Sequence, residues 1–181
     1  MSNSTLPMFR EPTPERVAEI VASQRDRAVT YEPKPYTRHH REPIGDDFAT
    51  ASAALAHWRQ YDLGWTRLAE PRPEIEAGNV SATVAKVMGG WTVNCCRIVE
   101  VCDEDDAFGY TIGTLPHHSE IGEERFRVER IGRAVFYDVQ SHSVAGNWLV
   151  KLFWPMAERA VRRFLRESRS EERRVGKECR L

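Results

Sequence analysis

Cysteine is scarce in this sequence, and its distribution argues against a disulfide framework. Three of the four cysteines, Cys95, Cys96 and Cys102, lie close together in the middle of the chain. An odd, clustered set is a poor basis for disulfides, and adjacent residues of a strand point to opposite faces. We therefore predict reduced thiols that pack as small side chains, and no metal site built on them.

Long hydrophobic runs are also missing, although 41% of the residues are hydrophobic. No run approaches the roughly 18 apolar residues that a membrane-spanning helix requires. The first residues lack the charged and apolar regions that form a signal peptide. We therefore expect a cytoplasmic protein without a membrane span.

The last thirteen residues, 169–181, resemble the in-frame translation of a common sequencing adapter and have no apolar periodicity. We predict a single domain over residues 13–168, preceded by a disordered segment at 1–12 and followed by this non-native tail. The tail holds five basic and three acidic residues, so the formal charge of −1 becomes −3 without it. This mild acidity argues against a nucleic-acid-binding protein.

Helical spacing of apolar residues predicts two helices in the first third of the chain. The first begins at Pro14, with Thr13 as its N-cap, and fades near Arg27. The second begins at Phe48 and stops at Gly64. Both helices precede every predicted strand.

From about Thr66 the apolar residues alternate with polar ones, which predicts strands. Gly89 and Gly90, the acidic run 103–106 and Gly132 mark short turns between them. Short connections between consecutive strands imply an antiparallel meander.

The end of the chain has the apolar stripe of a long helix, running from Leu149 to Leu165 and including Phe164. Pro155 lies inside this stripe and should kink or divide the helix. The order of elements predicts an α+β fold of the helix-grip type. In that architecture a curved antiparallel sheet wraps a long C-terminal helix, with additional N-terminal helices here and a cavity between sheet and helix.

Three segments of the chain have a recognisable pattern: 30–38, Trp91–Val99 and Phe108–Phe126. The third segment is the most specific, because it contains Gly-Thr-Leu-Pro, a histidine and Gly-Glu-Glu. Together the segments resemble the uncharacterised protein family 0548, also described as domain of unknown function 1990. The resemblance runs from about Val17 to Arg166. It implies a fold related to START-like lipid-transfer and pollen-allergen helix-grip proteins, and it implies no established activity.

The third segment also holds the densest cluster of titratable side chains. One interpretation is acid–base catalysis at the mouth of the cavity, by His118 together with Glu123 or Glu124. The other is a solvated hairpin loop, since Pro116 and Gly122 are turn residues. The sequence leaves both open, and it contains no motif for a cofactor or a metal ion.

Arg97 is a lone cation in an apolar strand and shares a face with other apolar residues. It would either anchor the carboxylate or phosphate of a ligand or form a structural ion pair with a carboxylate such as Glu124. Tyr110, Arg38 and Thr114 are further candidates for ligand binding.

Four arginines of the last helix form a basic stripe, which is typical of a solvated helix face and would also suit an acidic partner. They are Arg159, Arg162, Arg163 and Arg166. The leading hypothesis is therefore a protein that binds a small apolar or amphipathic molecule between sheet and helix. The alternatives are an enzyme acting at the cavity mouth and a protein-interaction module.

Overall fold

A computed structural model describes residues 7–87 and 89–178, and the side chains of this range as far as Glu167. Four helices are present in this part of the chain: α1 (Pro14–Gln24), α2 (Phe48–Ala56), α3 (Trp148–Leu152) and α4 (Trp154–Glu178). A short 3-10 turn, Arg59–Tyr61, follows α2. The strands are β1 (Arg38–Gly45), β2 (Thr66–Leu68), β3 (Val80–Val87), β4 (Gly90–Glu104), β5 (Ala107–Thr114), β6 (Glu120–Ile131) and β7 (Ala134–Ala145).

The seven strands form one antiparallel sheet in the order β1-β7-β6-β5-β4-β3-β2. Strands β2 to β7 are a meander, as the sequence predicts, and β1 closes the sheet by pairing with β7. The sequence does not predict β1, because its residues are mostly charged and include Pro43. Its conformation is imposed by pairing with β7, which overrides a weak local preference.

Helix α1 covers the convex face of the sheet. Its start agrees with the prediction, since the Thr13 hydroxyl accepts a hydrogen bond from the Arg16 N–H at 3.3 Å. Val17 and Ile20 face the sheet and are buried. They pack in one cluster with Ala82, Val84, Val93, Cys95 and Leu115.

The concave face is covered by α2, the 3-10 turn and α4. One half of this face is filled by an aromatic cluster, in which the Trp58 and Tyr110 rings lie 4.7 Å apart and the Tyr61 and Phe164 rings 5.1 Å apart. Phe126 is also part of this cluster and is fully buried. Phe164 is 8% exposed, which confirms the C-terminal part of the predicted apolar stripe. Its first part differs from the prediction, because Leu152 and Met156 are exposed.

Two helix boundaries differ from the prediction or refine it. The second helix ends at Ala56 rather than near Gly64, because Trp58 takes a left-handed backbone conformation with φ of 59°. The terminal helix is divided into α3 and α4, with Pro155 in the first turn of α4. A proline there lacks an N–H that would be unpaired in any case, so the division agrees with the prediction.

The resulting α+β architecture is of the helix-grip type: a curled antiparallel sheet with the C-terminal helix against its concave face. No helix in residues 7–87 or 89–178 is long and apolar enough to cross a membrane. Cys95, Cys96 and Cys102 are free thiols, as predicted.

The ends of the chain are described in part. In contrast to the disorder predicted for residues 1–12, Met8 exchanges two backbone hydrogen bonds with Trp91, both 2.7 Å long. The predicted tail continues α4 in its backbone as far as Glu178. Its side chains, like the whole of residues 179–181, lie outside the described residues, so the predicted domain boundaries stay predictions.

Candidate functional site

A cavity of about 440 Å³ lies between the concave face of the sheet and the helices α3 and α4. This volume is within the range of small-molecule sites in proteins. The wall formed by the helices is apolar. Its residues are Leu149, Val150, Phe153, Ala157, Ala160, Val161 and Phe164.

The wall formed by the sheet carries hydroxyl, amide and carboxyl groups instead. Its polar residues include Ser81, Thr83, Thr92, Asn94, Thr114, Ser141, Ser143, Glu120 and Glu124. None of the described residues that line the cavity is Lys or Arg. The cavity is therefore amphipathic, and the charged side chains on its polar wall are all acidic.

The segment from Gly113 to Glu124 brings most of these polar groups to the cavity. Its first part is fixed by Thr114, whose hydroxyl oxygen lies 2.8 Å from that of Thr30 and accepts a hydrogen bond from the Gly122 N–H at 3.0 Å. Gly113 is required beside it, because a Cβ there would collide with the Tyr31 ring. The local structure thus explains the presence of both Gly113 and Thr114.

The following loop is tied to two neighbouring elements. The His117 N–H donates to the Gln24 side chain at the end of α1, at 3.1 Å. The Ser119 hydroxyl donates to Asn94 on β4, at 2.8 Å. These bonds hold His118, which lies between them, at the edge of the cavity.

The predicted solvated hairpin loop is wrong for the second half of this segment, because residues Glu120–Ile131 form β6. Gly122 is not a turn residue: it lies within the strand, where a Cβ would collide with the His142 carbonyl oxygen of β7. The strand alternates, so Glu123 and Glu124 point to opposite faces. Glu123 borders the cavity but its side chain hydrogen-bonds to Tyr31, whereas Glu124 lies on the concave face.

His118 is a neutral imidazole in this setting. Its Nδ1 atom lies 2.9 Å from the Glu120 backbone nitrogen and 3.0 Å from the Glu120 carbonyl oxygen. Burial lowers the pKa of His118 to about 4, an effect that the bond to Glu120 opposes only in part. Near neutral pH the ring can therefore accept a proton but does not carry a charge.

Two carboxyl groups, of Glu120 and Glu124, face the cavity from the same strand. Burial, helped by the charge of the neighbouring Glu120 and opposed by that of Arg38, raises the pKa of Glu124 to about 8. Burial also raises the pKa of Glu120, although a hydrogen bond from Ser143 and the charge of Arg38 lower it. Near neutral pH the Glu124 carboxyl group is therefore mainly protonated.

Arg38, a predicted ligand-binding residue, lies on β1 beside the cavity, directly across from Ser141 in the pairing of β1 and β7. Its Nη1 atom donates to the Ser143 hydroxyl at 3.0 Å, and that hydroxyl donates to Glu120 Oε2 at 2.5 Å. These two hydrogen bonds connect Arg38 to Glu120, so the guanidinium compensates the charge of the carboxylate. Arg38 itself is not among the residues that line the cavity.

Ser141 is a cavity residue that the sequence analysis does not identify. It lies directly across from Glu124 in the pairing of β6 and β7 and is 5% exposed. Its hydroxyl is buried and has no hydrogen-bond partner. The only signal in the sequence is the alternation of β7, which is too weak to distinguish a cavity-facing serine from a solvated one.

Two predicted ligand-binding residues lie away from the cavity. Arg97 points to the convex face, because alternation along β4 gives the concave face to Cys96 and the convex face to Arg97. Its guanidinium donates to the backbone carbonyls of Gln24, at 3.4 Å, and Arg25, at the end of α1. The predicted anion anchor is thus a helix-end contact, in which a cation meets the negative end of the helix dipole.

Tyr110 is on the concave face but belongs to the filled half. Its hydroxyl accepts a hydrogen bond from the Gln60 side chain at 2.5 Å, and its ring packs on Trp58. Of the four predicted ligand-binding residues, Thr114 alone lines the cavity. The arginine stripe of α4 faces solvent, and Arg162 and Arg163 each pair with a glutamate one turn away. No group of three His, Cys, Asp or Glu in the described chain is arranged to hold a metal ion.

The curled sheet, the terminal helix and the cavity between them define a helix-grip protein with an internal site. A family model for a domain of unknown function, DUF1990, matches residues 16–171. The chain belongs to this family. The solved structure of a protein from Arthrobacter aurescens supports the fold alone: it has a TM-score of 0.57 at 11% identity, over 83% of this chain and 91% of that one.

Curated relatives are described as UPF0548 proteins. A UPF0548 protein of Dictyostelium discoideum is 32% identical over 134 residues, which are 67% of this chain. The match spans 62% of that relative, which is less than two thirds of its length. A UPF0548 protein of Deinococcus radiodurans is 29% identical, over 86% of this chain and 91% of its own.

Proposed function

We propose that this protein binds a small amphipathic molecule in the cavity between its sheet and its C-terminal helix. The observation that carries the proposal is the cavity of about 440 Å³, with one apolar wall and one polar wall. A ligand with an apolar body and a polar end matches both walls. Its apolar part would gain roughly 25 cal/mol for each Å² removed from water.

The small residues of the helix wall support a site rather than a packing defect. Ala157 and Ala160 face the cavity from α4, next to the larger Val161 and Phe164. Protein interiors are normally packed to the density of organic crystals, and unfilled volume lowers stability. A bound molecule in this space would recover the missing contacts.

The test is to purify the protein from its host and identify retained small molecules by native mass spectrometry. The wild type is expected to carry a ligand or to bind added octanol. Ala160→Phe adds a ring that fills the cavity and should abolish both. Ala49→Phe, which adds the same ring at an exposed position of α2, should leave binding unchanged. Octanol binding that survives in Ala160→Phe would contradict the proposed site.

Acid–base catalysis is the second candidate, favoured by the opposed pKa values of two cavity residues. Glu124 has its pKa raised to about 8, whereas that of His118 is lowered to about 4. A protonated acid and a neutral base facing one cavity are the pair that proton transfer requires. Incubating a cell extract with the protein in D₂O would reveal such activity as deuterium incorporation that His118→Asn abolishes. Equal incorporation with and without the protein would contradict it.

A further inference from the structure

We propose that the polar end of the cavity binds the protonated nitrogen of an amphipathic amine, held between Glu124 and Ser141. This inference rests on the proposed ligand-binding function and specifies its ligand class. The proposed ligand is a cation, whereas the sequence suggests an anionic ligand bound by Arg97. The structural reason is that Arg97 lies on the convex face, while carboxyl groups line the concave one.

The charge of the lining residues is the first argument. Glu120, Glu123 and Glu124 border the cavity, and no Lys or Arg does so among the residues that the structure describes. A carboxylate in such a place is costly unless a cation accompanies it. Arg38 compensates Glu120 through Ser143, which leaves Glu124 as the carboxyl group with which an ammonium group can pair. An anionic ligand would find no Lys or Arg among the described lining residues.

The existing hydrogen bonds show which carboxyl group is available. Glu120 accepts a hydrogen bond from the Ser143 hydroxyl, and that hydroxyl accepts one from Arg38. Glu123 bonds to Tyr31 on the other side of the strand. Glu124 is left facing the cavity, with the electrostatic effect of Arg38 too weak to offset its burial.

The second argument is the unpartnered hydroxyl of Ser141. It is buried, lines the cavity and lies across from Glu124 in the sheet. An ammonium group has three donors and no acceptor. The carboxylate of Glu124 and the oxygen of Ser141 offer two acceptors from adjacent strands, which such a group can use at once.

Binding of a cation would change the protonation of Glu124. The titratable and charged groups around it are Glu120 on the same strand, Arg38 on β1, His118 in the preceding loop, and Tyr61 and Cys96 on other cavity-lining elements. Without a cation beside it, Glu124 is mainly protonated near neutral pH. An ammonium group would stabilise the carboxylate, so a proton should leave the protein when the amine binds.

The experiment compares three probes of equal chain length, octylamine, octanol and octanoate, by calorimetric titration of the wild-type protein at pH 7. The amine is protonated there, since alkyl amines have pKa values of about 10. We expect octylamine to bind roughly ten- to a hundred-fold more tightly than octanol, because charge-assisted hydrogen bonds are stronger than neutral ones. Titration in two buffers of different ionisation enthalpy should show proton release with octylamine and none with octanol.

Two variants make the test specific. Glu124→Gln should lose the preference for octylamine over octanol, and with it the proton release. Glu104→Gln is the same substitution at an exposed position of β4 that does not line the cavity, and it should behave as the wild type. Melting temperatures of both variants show whether the fold is retained.

The outcomes separate the two proposals. If none of the three probes binds the wild type, the proposed function fails. If octanol or octanoate binds as tightly as octylamine, the cavity binds ligands but the amine class is wrong. A preference for octylamine that survives in Glu124→Gln would equally overturn the assignment to Glu124.

Discussion

The two halves of the concave face show how one sheet and one helix can produce a core and a cavity side by side. In the filled half, large rings from α2, the 3-10 turn, β5, β6 and α4 meet, and Trp58 and Phe126 are almost fully enclosed. In the open half, α4 presents alanines to serines, threonines and glutamates of the sheet. The sheet and α4 are common to both halves, so the rings added by α2 and the 3-10 turn and the small side chains of α4 determine where the cavity lies.

The largest expected effect is on the filled half. Phe164→Ala should lower the free energy of unfolding by about 3–5 kcal/mol, because it removes a buried ring from the aromatic cluster. Leu149→Ala, which faces the open half and is partly exposed, should cost less than about 1.5 kcal/mol. Urea unfolding of both variants measures the difference, and equal losses would contradict the division into two halves.

A smaller effect is expected in the open half, where replacement of Glu124 should increase the free energy of unfolding. Its pKa in the folded protein is raised to about 8 from 4.5, so between these values the folded state keeps a proton that the unfolded chain has lost. Stability should therefore fall as pH rises from 4.5 to 8, by at most about 1.4 kcal/mol per pH unit from this group.

Glu124→Gln removes this dependence. The variant should be more stable than the wild type at pH 9 by roughly 2–4 kcal/mol, with allowance for partial solvent screening, and the advantage should shrink toward pH 5. Chemical unfolding at several pH values measures it. A constant difference between the two proteins at all pH values would contradict the raised pKa.

The helix-end contact of Arg97 provides a test on the convex face. Arg97→Met should lower the free energy of unfolding by about 1–3 kcal/mol, because the carbonyls of Gln24 and Arg25 lose a charged donor. Octanol binding should be unaffected, since the residue lies on the opposite face from the cavity. Loss of octanol binding with unchanged stability would restore the role of ligand anchor to Arg97.

The smallest effect is expected at Ser141. Its hydroxyl has no partner, so Ser141→Ala should change the free energy of unfolding by less than about 0.5 kcal/mol. Thr114→Val is the matched comparison, because that hydroxyl bonds to both Thr30 and Gly122 and its loss should cost about 1–2 kcal/mol. Equal losses at the two positions would mean that the Ser141 hydroxyl is bonded in solution.

Local periodicity was sufficient to predict most of the fold. The N-cap at Thr13, the turns at Gly89 and Gly132 and the burial of Phe164 follow from patterns within a few residues, and the structure agrees with each. Strand β1 was missed because its pairing with β7 is a contact between distant residues. No apolar alternation in Arg38–Gly45 indicates it.

The candidate site was less predictable, for a physical reason. Alternation correctly separates Arg97 from Cys96 but does not say which face of a sheet meets α1 and which meets α4. The sequence indicates a turn at Gly122, although the lack of a side chain there serves the close approach of β7. The predicted strand therefore begins only at Glu124, and the extension of β6 back to Glu120, which also reaches the cavity, is not predicted.

The central claim is that the open half of the concave face is a ligand site with an electronegative end. A crystal structure of the protein with octylamine tests it most directly. We predict the alkyl chain against Ala160 and Val161 of α4, and the nitrogen within about 2.7–3.2 Å of a Glu124 carboxylate oxygen. Octylamine bound only on the outer surface, or in the cavity with its nitrogen pointing away from Glu124, would contradict the account.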